Sequence, residues 1–154
     1  METSYFAVGN TKIDELLGEQ ASMLWTVEVH KLTFDLAAMR AALPVSTTFR
    51  AGAPGDAATI AACLDRTHGR SELAPLFSEQ WVRSRLTRSP SDYTWTDLSI
   101  VDDAVVGTWD PGLELTIERD GAVEVRRQSF VLDWGTNGST DDLLQALRAS
   151  IEKL

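Results

Sequence analysis

The stretch Gln128–Leu147, QSFVLDWGTNGSTDDLLQAL, reads as a strand, a glycine-containing loop and an amphipathic helix. The apolar and aromatic run Phe130, Val131, Leu132 and Trp134 suits a strand that stops at Gly135. Gly135-Thr136-Asn137-Gly138-Ser139 forms the loop, and Thr140 is placed to cap a helix. Leu143, Leu144, Leu147, Ile151 and Leu154 then recur at helical spacing, with Asp141 and Asp142 in the first turn. A strand feeding a helix through glycines aims backbone N–H groups at whatever lies above the loop, which is the geometry of an anion site. An ordinary strand-to-helix turn is the plainer reading of the loop alone.

Upstream of this stretch the pattern is one of strands. Trp95–Val101 is one, followed by a turn at Asp102-Asp103, and Ala104–Trp109 is the next, broken at Asp110-Pro111-Gly112. Leu113, Leu115 and Ile117 alternate with Glu114, Thr116 and Glu118, and Asp120-Gly121 predicts a tight hairpin turn. Val123, Val125 and Phe130–Trp134 complete an antiparallel meander.

Helices precede the strands. Thr11 caps a short helix ended by Gly18, and Leu24–Leu32 alternates as a half-buried strand with His30 on its polar side. Leu36, Met39 and Leu43 predict a helix closed by Pro44. A short strand around Thr47–Ala51 leads through Pro54-Gly55 to a helix that Asp56 caps and that buries Ile60, Cys63 and Leu64. Arg66–Phe77 reads as a polar loop, and Ser78 caps a helix carrying Trp81, Val82 and Leu86 and ending before Pro90. Helices, then four or five strands, then a last helix make an α+β chain with a mostly antiparallel, mixed sheet flanked by helices.

Composition bounds the function. The chain has 154 residues, 44% of them hydrophobic, enough for one globular domain with a real core. With no apolar run long enough to span a bilayer and no secretory leader pattern, it is expected to be soluble, cytoplasmic and without a membrane partner. Cys63 is the single cysteine, so no internal disulfide framework exists, and its neighbours mark it as a small buried hydrophobe. Two histidines and one cysteine without close spacing offer no zinc site, and no metal ligands are assigned, although a carboxylate-held metal stays open. A formal charge of −9 opposes a polyphosphate backbone, so nucleic acid is not an expected partner. Arg66, Arg70, Arg83, Arg85 and Arg88 gather locally. They read as a solvated helix face, with a pocket for an anionic ligand as the functional alternative.

FRAGAPGDAATI at Phe49–Ile60 resembles the first strand and helix of GNAT-type N-acetyltransferases. A second helix, a hairpin with Val105-Val106-Gly107, a central strand and a loop into a third helix follow in the family's order, from about Thr47 to Leu154. The resemblance implies a GNAT-like, acyl-CoA-binding fold, with residues 46–154 a partial domain that is incomplete after its third helix. Residues 1–45 resemble the closing helix and strand of a preceding repeat, and Trp25–Leu32 offers a substitute for the missing sheet member. It further implies acetyl-CoA as cofactor, held by the backbone of Phe130, Val131 and Leu132 and by Gly135, Gly138, Ser139 and Thr140. Against the family pattern Q/R-x-x-G-x-G/A, Gly138 matches, while Gly135 and Thr140 replace the first and last positions. Asp141 and Asp142 put negative charge where a diphosphate would sit.

Acetyl transfer to an amine needs a base, and an imidazole suits that work at neutral pH. His68 is the candidate base, Asp133 the group that orients an amine, and Arg66, Glu72, Trp95 and Trp109 the candidate substrate wall. A surface histidine, a loop-satisfying aspartate and core tryptophans are the ordinary explanations of the same residues. The expected function is that of an N-acetyltransferase acting on a small-molecule amine. The alternative is a catalytically inactive GNAT-like module that binds a protein partner or pairs with itself as a homo-oligomer, using the open edge of the fourth strand.

Overall fold

Asp120-Gly121 folds as a hairpin turn with both residues at positive φ, 53° and 79°, the mirror-image geometry whose twist suits the flanking strands. The computed structural model describes residues 35–45, 48–70, 74–88 and 92–154, within one compact unit, Asp35–Leu154. In chain order these form α1 (Leu36–Ala42), β1 (Arg50–Ala51), α2 (Ala57–His68), α3 (Glu79–Thr87), β2 (Leu98–Val101), β3 (Ala104–Arg119), β4 (Ala122–Thr136) and α4 (Thr140–Glu152). Short 3₁₀ turns occupy Pro54–Asp56 and Trp95–Asp97. The sheet order is β1-β2-β3-β4 and every neighbouring pair is antiparallel. The described chain is therefore α+β with a wholly antiparallel four-stranded sheet, where the sequence suggested a mixed one. The helix after Thr11, the strand Leu24–Leu32 with His30, and Glu72 lie outside the described residues.

Strand alternation splits the core in two. Leu98, Ile100 and Val105 face α2 and α3, joining Ile60, Cys63, Leu64, Val82 and Leu86. Val101, Ala104 and Val106 face the other way, onto Ala146, Leu143 and Leu147 of α4. This is the period of two expected of strands covered on both faces. Ser150 of α4 donates to the Val106 carbonyl at 2.9 Å and so fastens that helix to the sheet. Arg40 of α1 reaches the Ile151 carbonyl at 3.0 Å.

Several elements depart from the sequence reading for local reasons. Asp56 is the N-cap residue of α2, but its side chain makes no capping bond there; its carboxylate holds both Nη groups of Arg50 at 2.7 Å and accepts the Ala53 N–H. The guanidinium and the Ala53 N–H together hold that carboxylate away from the first turn of α2. Trp95–Asp97 is a 3₁₀ turn, so β2 starts only at Leu98. Asp110-Pro111-Gly112 does not end a strand. Gly112, at φ 66°, gives its N–H to Asp110, and the register between β3 and β4 shifts there while both strands continue. The first helix of the Cys63 region also runs on to His68, because no breaker intervenes before Gly69.

Beyond Gly107, the last residue of β3 paired with β2, β3 and β4 continue as a two-stranded ribbon. Leu113, Leu115, Ile117, Val123 and Val125 are exposed along it. At its root β4 is crossed closely by α2. A Cβ on Gly135 would stand 2.5 Å from the Cys63 carbonyl oxygen, a contact of backbone on backbone. Gly135→Ala should therefore lift α2 and cost about 1–3 kcal/mol. Urea unfolding reads this directly, and an unchanged midpoint would refute the close approach.

Candidate functional site

His68 is carried by the last turn of α2, where the chain would otherwise be leaving the sheet. Its Nε2 stands 2.7 Å from the Trp134 carbonyl. A carbonyl oxygen only accepts, so Nε2 bears the hydrogen and the neutral ring keeps its lone pair on Nδ1. The imidazole meets Trp134 edge-on with centroids 4.5 Å apart, and Phe77 and Trp81 continue the aromatic chain at 6.2 and 5.2 Å. Thr67, one residue earlier, accepts the Thr136 N–H at 3.0 Å and pins the helix end to the strand end.

Asp133 points from β4 into the helical layer and is 9% exposed. A buried carboxylate must be paired. Its Oδ2 accepts from Arg85 Nε and from the Tyr93 hydroxyl, each at 2.9 Å. The Arg85 guanidinium lies over the rings of Trp81 and Tyr93, 5.4 and 5.7 Å from their centroids. Burial, then the Asp133 charge and hydrogen bond, push the Tyr93 phenol far above its ordinary range, so it stays a neutral donor. Gly107 makes this possible. It pairs with Asp133 across the strands, and a Cβ there would collide with the Tyr93 hydroxyl.

Two adjoining clefts share Trp81, Arg85 and Leu132 as a common wall. One, of about 400 Å³, adds Leu64, His68, Phe77, Asp133 and Trp134 to its lining. The other, of about 650 Å³, adds Arg88, Asp92, Tyr93 and Trp109. Both volumes suit a small ligand.

The structure thus brings His68, Asp133, Leu132 and Trp109 to one region. Phe130 stacks behind Trp109 at 5.8 Å, while Val131 is exposed. Arg66 is exposed on α2 and lines neither cleft, and Trp95 packs against the core beside Leu98. His68 is helical, not part of a loop. Tyr93 and Phe77 were not singled out from sequence as site residues, and Arg85 stood there only as one of a cluster of arginines with an anionic pocket as the alternative to a solvated face. The available signal was Gly107, since a glycine inside a strand marks a close approach.

The loop before α4 is differently occupied. Gly135 belongs to β4 and pairs with Val105, and Ser139, not Thr140, is the N-cap, accepting the Asp142 N–H at 3.1 Å. Asp142 in return accepts the Ser139 N–H at 3.1 Å, a reciprocal capping box. Asn137 N–H goes to the Asp103 carbonyl and Gly138 N–H to Thr136 Oγ1. A Cβ on Gly138 would lie 2.9 Å from the Asp142 carboxylate and 3.3 Å from Asp103. Four of the loop's N–H groups, at Asn137, Gly138, Ser139 and Asp142, are therefore already bonded within the chain, and the acidic first turn disfavours an anion beside them.

Against known proteins the chain matches no family model, no curated protein and no solved structure. No described helix is long and apolar enough to cross a membrane.

Tyr93 carries a pH signature. Its phenol is held protonated in the fold, whereas an unfolded tyrosine ionises near ~10. A pKa raised by folding means that this contribution is complete below about pH 10 and drains away above it. Tyr93→Phe should cost about 1 kcal/mol at neutral pH and should lose stability less steeply above pH ~10. Urea midpoints of both proteins across this range test it; parallel curves would refute it.

Proposed function

We propose that the chain is a GNAT-like module that does not hold acetyl-CoA, and that it works by pairing with a second copy of itself along β4. The order of strand, two helices, antiparallel strands and a loop into a helix supports the GNAT-like part. The observation that carries the loss of the cofactor is the loop, whose N–H groups at Asn137, Gly138, Ser139 and Asp142 are bonded within the chain.

The outer edge of β4 has no strand partner among the described residues, and such an edge is a template for another strand. A two-fold axis at Val125 would place Glu124 opposite Arg126 of the second copy, twice over, with the exposed Val125 side chains meeting at the centre. Within one chain Glu124 already bonds Arg126 at 2.8 Å, so pairing would join two ion pairs into one network. Sedimentation should show a dimer whose population rises with concentration, and Val125→Lys should leave a monomer. A monomer mass at every concentration would end this reading.

The second reading is an N-acetyltransferase acting on an amine, favoured by His68. Its Nδ1 lone pair and the neighbouring cleft suit a base that takes a proton from an acceptor amine. Calorimetric titration with acetyl-CoA and CoA separates the two. No binding at millimolar ligand supports the pairing module. Micromolar binding that disappears in Gly138→Asp overturns the closed-loop argument and supports the enzyme.

A further inference from the structure

Arg85 is the feature the pairing module leaves unexplained. A single contact, Nε to Asp133, fixes the guanidinium, and two aromatic faces hold its plane. Its Nη groups bond no acceptor among the described residues, and the side chain remains 36% exposed. A fixed, partly desolvated fork with free N–H groups is a preorganised receptor for a planar oxyanion. The surrounding wall is apolar and aromatic: Phe77, Trp81, Trp109 and Leu132.

Charge chooses the anion. Arg85, Arg88 and His68 face the two clefts together with Asp92 and Asp133. The Arg85 charge is already partly balanced by Asp133, so a dianion would meet carboxylates on either side. A monoanion is repelled by them only about half as strongly. We propose that the paired clefts bind a small monocarboxylate with an aromatic or branched apolar body, its carboxylate on the Arg85 Nη groups and its body against Trp81 and Leu132. Asp133 acts here as a positioning residue, holding the guanidinium without touching the ligand.

The test uses the full chain with three probes, phenylpropionate, its neutral counterpart phenylpropanol, and inorganic phosphate, read by calorimetry and tryptophan fluorescence. Phenylpropionate should bind about tenfold or more tightly than phenylpropanol or phosphate. Arg85→Lys keeps a cation beside Asp133 yet loses the fork, so it should weaken phenylpropionate by about tenfold and leave phenylpropanol unchanged. Equal affinity for acid and alcohol, tighter binding of phosphate, no binding of phenylpropionate, or an Arg85→Lys variant with undiminished affinity would each overturn the proposal. Should that variant fail to fold, the comparison of acid with alcohol on the unaltered chain still decides.

Discussion

The carboxylate of Asp133 lies inside a hydrophobic layer, where an unpaired charge costs several kcal/mol or more. Its neutralisation by Arg85 and its hydrogen bond from Tyr93 organise the helical face of the molecule. Tyr93 reaches Asp133 only because Gly107, opposite it on the neighbouring strand, has no side chain. Arg85 reaches it only because α3 is anchored by Val82 and Leu86 in the core, with Ser78 capping its start. The clefts on either side of the Arg85 guanidinium are the space left between these fixed groups, so the shape of the site follows from an electrostatic requirement of the sheet.

A few residues on, where β4 ends and α4 begins, the same accounting gives the opposite result. A helix start presents N–H groups that need acceptors, and they can be satisfied by a ligand or by the protein. Ser139, Asp142, Thr136 and Asp103 satisfy four of them, at Asp142, Ser139, Gly138 and Asn137. The acidic first turn stabilises α4 and simultaneously repels phosphate. Stability of the helix and affinity for an anion are alternatives at this position.

The ribbon of β3 and β4 is a different kind of surplus. Its residues alternate as strands should, but no helix covers either face beyond Phe130 among the described residues, so the apolar members stay in water. Leu113, Leu115 and Ile117 share a face with Gln128, Arg126 and Glu124, and Val123 and Val125 share the other with Glu118 and Thr116. Each face is half apolar and half polar or charged. Such a surface is compatible with solvent and with a partner strand, which is why pairing along its edge is a coherent use for it.

Local chemistry decided much of the fold in advance. The hairpin at Asp120-Gly121, the Ser78 cap, the helical spacing of Leu143, Leu147 and Ile151, and the burial of Cys63 all express short-range rules of backbone geometry and periodicity. His68 and Asp133 were likewise legible as candidates from residue type and place. Three things were settled only by tertiary structure. Asp56 gave its carboxylate to Arg50 and the Ala53 N–H instead of to the first turn of α2. Asp110-Pro111-Gly112 was absorbed as a register shift within two paired strands. Arg85 and Tyr93 converged on Asp133 from positions 48 and 40 residues away. Periodicity records which side of an element is apolar. Which distant polar groups meet depends on how the elements pack, and that is a property of the assembled layers.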